Sequence, residues 1–217
     1  MSHKIKNVWD GVYAEGGYGD LVPDHELADI CQSLPAGLSI DVGAGEGRHS
    51  LWLASQGWGV VALDVSSVSI ELLRAKAERM GMQINCIVGS VADYDFGTEN
   101  YDLVVSTGVV LNFFRKSEGK AIIRRLIEAL KPRGILYITV STPNDPAYRR
   151  HRDKAVYVED DSFFSEKTGA WITAYTIEDL KDCCRTCELL LALEKEIQDS
   201  HGEPHVHTMA YIAARTP

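Results

Sequence analysis

The chain has 217 residues, 45% hydrophobic and 24% charged, a balance that suits a folded globular protein and gives room for one well-buried α/β domain over residues 1–217. A formal charge of -9 makes the average surface repel phosphate backbones, which argues against a nucleic-acid partner. No apolar run reaches bilayer length and the opening MSHKIKNVWD lacks the apolar core of a secretion signal, so no membrane and a cytoplasmic location are expected.

Residues 1–35 predict a short helix over Lys4–Trp9, a glycine and aromatic segment DGVYAEGGYGD, and a second helix from Asp24 to Ser33. Pro35 and Gly37 break the chain before Leu38–Val42, which reads as a buried strand carrying an acid, Asp41, next to its end. Gly43, Ala44, Gly45, Glu46 and Gly47 then turn the chain into a helix that starts near Arg48. Glycines leave backbone N–H groups open to a ligand lying across the main chain. A dinucleotide fingerprint would place its third glycine where Arg48 stands, and Asp41 would repel a pyrophosphate. No G-K-[ST] follows, so a Walker-type loop is excluded too. An acid beside a glycine turn suits a ligand with positive charge.

At these residues the chain resembles the class I S-adenosylmethionine-dependent methyltransferases, whose first motif is an acid followed by G-x-G-x-G; Asp41, Gly43, Gly45 and Gly47 match it. The resemblance implies S-adenosyl-L-methionine as cofactor, with Asp41, Gly43, Ala44, Gly45 and Arg48 at its site. In that family a leading segment folds over the cofactor, which makes residues 1–35 a lid with Trp9, Tyr13 and Tyr18 as its aromatic candidates.

The helix over 48–56 ends at Gly57, and Val60–Asp64 is a continuous apolar strand ending on a second acid. Asp64 stands about twenty residues past the loop, where an acid accepts hydrogen bonds from ribose hydroxyls. A nicotinamide-dependent oxidoreductase would use it in the same way, so Asp64 with Val65 supports an adenosine-type ligand without choosing between the two. Ser66 or Ser67 caps a helix that stops at Gly81, and Ile84–Val88 is a third strand. It leads into GSVADY, where the family usually has an acid that reads adenine; Ser90 stands there, with Val91 and Ala92 following and Asp93 as an alternative. Tyr101–Ser106 is a fourth strand, and the resemblance puts Ser106, Thr107, Gly108 and Val109 on the floor near the transferable methyl.

A helix over 117–130, closed by LKPRG and followed by ILYITV, again resembles the family. Repeated strand and helix alternation predicts an α/β fold, a doubly wound, mostly parallel, Rossmann-like sheet; the resemblance makes it seven-stranded with an antiparallel C-terminal edge hairpin. Residues 142–173 read as a long loop, and 142–175 as a substrate-side cap. Arg149, Arg150, Arg152 and Lys154 in this stretch form a basic cluster whose plain reading is a solvated loop. Thr176 caps a helix that runs through Cys184, and residues 189–197 and 206–214 form two strands joined by QDSHGEPH. Five cysteines, an odd number, read as reduced thiols, and Cys183, Cys184 and Cys187 lack a second pair, so no metal site is expected.

Methyl transfer from a sulfonium needs mainly positioning and exclusion of water, so the sequence names no catalytic residue. The H-G-E-P-H turn and last strand resemble the tellurite-resistance and thiopurine-type branch, where terminal-hairpin histidines and arginines handle small nucleophiles such as chalcogen oxyanions or thiols. That makes His201 and His205, with Tyr13 from the lid, the catalytic candidates, His207 lying in the same region. The expected partner is a small-molecule methyl acceptor. A protein that binds S-adenosylmethionine without turning it over is the non-enzyme alternative.

Overall fold

The computed structural model describes residues 3–17, 22–108, 110–199 and 205–217. Two helices, α1 (His3–Ala14) and α2 (His25–Gln32), precede the sheet. Then β1 (Leu38–Val42), α3 (Arg48–Ser55), β2 (Gly59–Asp64), α4 (Ser67–Arg79) and β3 (Ile84–Val88) follow in strict alternation. The chain next crosses to β4 (Tyr101–Ser106), a 3₁₀ turn at Leu111–Phe113, α5 (Lys116–Glu128) and β5 (Leu130–Ser141). The remainder is α6 (Pro146–Arg152), β6 (Ser162–Ser165), β7 (Ala170–Thr173), α7 (Ile177–Cys183), β8 (Glu188–Asp199) and β9 (His205–Arg215).

Seven strands form one sheet in the order β3-β2-β1-β4-β5-β9-β8, with the first five parallel, β9 antiparallel to β5, and β8 antiparallel to β9. From β1 the chain builds outward through β2 and β3 on one side, and through β4 and β5 on the other. The order therefore reverses between β1 and β4, and a crevice opens above their C-terminal ends. Both faces are covered. Ile40, Val42, Val104 and Ile138 pack with Ile123 and Leu126 of α5 in one cluster. Leu103, Val105 and Tyr137 pack with Leu27 of α2 and Leu53 of α3 in the other. The alternation along β1 leaves Ser39 and Asp41 on the α3 side, because Ile40 and Val42 take the opposite face.

Two expectations need correction. Residues 142–173 are no loop: Asp145 caps α6 with Pro146 in its first turn, and β6 and β7 make a small separate hairpin. Four-residue strands show too little alternation to read from sequence. LKPRG does not close α5 as a turn either; α5 ends at Glu128 and β5 already begins at Leu130. The register shifts between Leu130 opposite Tyr101 and Ile135 opposite Leu103, while Arg133 takes a φ of 64° and its N–H bonds to the carbonyl of Pro217 at 3.1 Å. The extra residues form a bulge within the strand.

Candidate active site

The glycine loop hangs from its neighbour strand. The N–H groups of Gly43 and Ala44 both donate to the carbonyl of Leu63, at 2.7 and 3.1 Å, and that of Gly45 donates to Oδ2 of Asp64 at 2.9 Å. Gly43 has a φ of 78°, and a Cβ there would lie 1.9 Å from Cγ2 of Val110. Gly45 has a φ of 53° and lies under the Tyr13 hydroxyl, so α1 closes over the loop. Trp9 and Tyr13, two of the lid aromatics, line the cavity there; Tyr18 falls outside the described residues.

The two acids meet different surroundings. Asp64 accepts from the N–H groups of Gly45 and Ser66 and still borders the cavity. Burial pushes its carboxyl above the usual range, against the pull of those two donors. Asp41 is 1% exposed and lies behind the cavity wall. Its Oδ2 accepts from the Ser50 hydroxyl at 2.7 Å, and its Oδ1 is buried without a partner. Burial pushes this carboxyl up as well, although His49, Ser50 and Arg48 pull it down. The N–H groups of Gly43, Ala44 and Gly45 are thus taken by the neighbouring strand rather than left open to a ligand as expected. A buried acid lacking one partner just beneath this loop still fits a positively charged ligand and opposes a pyrophosphate.

Above them lies a cavity of about 1090 Å³ at the strands' C-terminal ends. Gly43, Ala44, Gly45, Arg48, Asp64, Val65, Val91, Thr107 and Tyr13 of the expected site border it. Asp41, Ser90, Ala92 and Ser106 do not. Ser90 uses its hydroxyl to accept the N–H of Ala92 at 3.2 Å and so closes a turn; Gly89 takes the wall position instead. The Ser106 hydroxyl is buried with no partner. Val109 and His201 lie outside the described residues.

The cavity wall also holds His49 and Asp24, which the sequence reading did not single out as site residues. His49, 2% exposed in the first turn of α3, accepts the N–H of Asp24 at its Nε2, 3.3 Å away, and its Nδ1 lies 3.2 Å from the Thr107 hydroxyl. Asp24 pairs with Arg48 at 3.1 Å and accepts from the Tyr137 hydroxyl at 3.2 Å. Burial alone would raise the Asp24 carboxyl, yet His49, Arg48 and Tyr137 hold it below the usual range. On the β8–β9 side, Lys195 pairs with Glu26, and His207 reaches the cavity with Asp145 behind it and His205 beside it. The one available signal for His49 was a polar side chain entering a helix straight from a ligand loop. Asp145 announced itself only as an acid before a proline.

A family model described as a methyltransferase domain matches residues 40–134, from β1 into β5. The probable S-adenosyl-L-methionine-dependent methyltransferase TehB of Haemophilus influenzae is 31% identical over 132 residues, 59% of this chain and 42% of that protein. A ubiquinone biosynthesis O-methyltransferase of Rickettsia conorii is 29% identical over 109 residues, 50% of this chain and 36% of that one. The chain thus spans about two fifths of the length of these curated relatives. The crystal structure of the Haemophilus TehB superposes with a TM-score of 0.72 at 21% identity, covering 96% of this chain and 67% of that one. A methyltransferase from Methanosarcina mazei gives 0.71 at 21% identity, covering 90% and 99%. These two likenesses show the fold. With the acid and glycine loop in place, the sheet order of the fold and the methyltransferase domain matched over residues 40–134, the chain is similar to the class I S-adenosylmethionine-dependent methyltransferases.

Proposed function

We propose that the chain transfers a methyl group from S-adenosylmethionine to a small nucleophile in this cavity. The observation that carries the reading is the loop itself: at Gly43 and Gly45, main chain without side chains bordering the cavity at a topological switch point, a buried and partly unsatisfied Asp41 beneath it, and Asp64 at its edge. Gly43 and Gly45 would let the nucleoside lie against the main chain, and Asp64 would accept from its ribose hydroxyls. Val91 and Gly89 would bound the adenine. When bound, the cofactor supplies an electrophilic methyl whose bond pair leaves on sulfur. The chain's own residues orient the acceptor and keep water out.

Within one domain spanning 1–217, residues 1–35 supply the lid through Trp9 and Tyr13 of α1 over the loop. Residues 142–175, the expected substrate-side cap, reach the acceptor side through Asp145, which holds His207 although no side chain of the stretch borders the cavity. The acceptor is a small molecule, with chalcogen oxyanions and thiols as the classes to test. His205 and Tyr13 are its handling candidates, since Tyr13 borders the cavity and His205 bonds to a histidine that does. A turnover screen of selenite, tellurite, thiols and halides, reading S-adenosylhomocysteine, tests the reading. Product with one class identifies the acceptor; bound cofactor with no product from any acceptor would leave a binding protein.

A further inference from the structure

Asp145 and two histidines set a condition on the acceptor that the glycine loop does not. Asp145 is 1% exposed. Its Oδ1 accepts the N–H of Tyr148 at 2.8 Å, and its Oδ2 accepts the N–H of Thr208 at 3.0 Å and Nδ1 of His207 at 2.8 Å. A carboxylate only accepts, so Nδ1 of His207 carries the proton and Nε2 of the neutral ring presents a lone pair. Nε2 of His205, 3.0 Å away, is then the donor to that lone pair. This is a base held in one tautomer by a buried acid, at the wall of the cavity.

Charge at the same wall points the same way. Among the described residues, Arg48, Lys76 and Lys195 are the arginine and lysine side chains that line the cavity. Each already meets a carboxylate lining it too: Arg48 with Asp24, Lys76 with Glu46 and Lys195 with Glu26. A permanent anion would meet, among the described residues, no arginine or lysine there that lacks a carboxylate, leaving the cofactor's sulfonium as its counter-charge. A neutral acid enters uncharged and needs only somewhere to leave its proton. Trp9, Phe113, Met209 and Tyr211 offer it apolar and aromatic contact.

We propose that His207, positioned by Asp145, is the general base, and that the acceptor is a neutral protic nucleophile, a thiol or phenol that keeps its proton at neutral pH. Its S–H or O–H takes the place of the His205 donor at Nε2 of His207. The proton passes to Nε2, Asp145 stabilises the resulting imidazolium, and the electron pair left on sulfur or oxygen is the nucleophile; the imidazolium later returns its proton to water. This rests on the methyl-transfer reading and narrows it: of the two acceptor classes, the protonated thiol makes use of this base and the chalcogen oxyanion has no need of it.

The test uses the full chain, S-adenosylmethionine and three acceptors near neutral pH: 2-mercaptoethanol, which keeps its proton; 4-nitrothiophenol, which is largely ionised; and selenite, an anion. Asp145→Asn and His207→Gln should each lower kcat on 2-mercaptoethanol by about 10²–10⁴-fold, the range for a lost general base. Both should leave 4-nitrothiophenol within about threefold and the affinity for S-adenosylhomocysteine unchanged. Equal losses on both thiols would reveal a structural role and overturn the proposal, as would turnover of selenite alone or of no acceptor by a wild type that binds S-adenosylhomocysteine. A wild type that does not bind S-adenosylhomocysteine would instead sink the methyl-transfer reading. Should Asp145→Asn not fold, His207→Gln carries the kinetic arm. Imidazole ¹⁵N spectra of the wild type must then show His207 protonated at Nδ1 and not at Nε2; the reverse tautomer contradicts the assignment.

Discussion

Asp41 and Asp64 stand near the ends of adjacent strands, and burial moves both carboxyls in one direction. A carboxyl whose pKa is raised on folding favours its protonated form in the folded chain. It adds stability below the ordinary carboxylate range, and that stability is lost as pH rises through the raised value. For Asp41, whose Oδ1 lacks a partner, the charge therefore weighs against the apo fold near neutral pH. Replacing it with a neutral isostere should separate folding from binding. Asp41→Asn is expected to flatten the fall in melting temperature between acid and neutral pH and to weaken S-adenosylmethionine binding by about 1–3 kcal/mol, the size of losing a charged partner. Melting curves over a pH series with calorimetric titration check both; an unchanged pH dependence would mean that Asp41 is not the residue under tension. At this scale the sequence was readable where backbone chemistry dictates residue type, as at Gly43, Gly45 and Asp64. It was not readable at His49 or Asp145, whose roles come from partners 58 and 62 positions away.

The elements most open to sequence reading were short apolar strands bounded by turns. Residues 84–88 and 101–106 have the predicted bounds because short apolar runs flanked by turns leave little choice in a parallel sheet. The α6 and β6–β7 region was opaque, since its order comes from distant contacts rather than period: the Thr173 hydroxyl donates to the Phe114 carbonyl, and Asn112 donates to the Thr173 carbonyl. One ion-pair cluster ties this region to the main sheet. Lys116 of α5, 4% exposed, meets Asp161 and Asp179 at 3.1 Å each and Asp160 at 3.3 Å. Burial would raise the Asp179 carboxyl, but Lys120, the Thr176 N–H and Lys116 outweigh it and hold it at about 2. A depressed carboxylate gives stability above its ordinary range that is lost as pH falls through the folded value. Lys116→Met should therefore cost about 3 kcal/mol, the low end for breaking a buried pair because two of the partners stay partly solvated. It should also reduce the loss of stability between about pH 4 and pH 2. Denaturant melts at both ends of that range measure it, and equal stability of variant and wild type would show that the cluster is not what holds α5 to α7.

Across the molecule, the proposed function concentrates where the strand order reverses. The glycine loop, Asp64 and Thr107 come from β1, β2 and β4, while Lys195 and His207 come from the antiparallel pair that closes the sheet. In the proposed reading, cofactor and acceptor chemistry take different walls of one cavity. The cofactor wall could be anticipated because its rules are local and repeat down the chain. The acceptor wall is assembled from α2, α3, β8 and β9, and no local pattern in any of them announces the others. Among the described residues no helix is long and apolar enough to cross a membrane. Calorimetric titration of the whole chain with S-adenosylmethionine, S-adenosylhomocysteine and NADH, on wild type and Asp64→Ala, tests the cavity most directly. The cavity described predicts one site per chain for the two sulfur nucleosides, none for NADH, and a loss of about 1–3 kcal/mol in the variant; binding of NADH, or equal affinity of the two chains for S-adenosylmethionine, would contradict it.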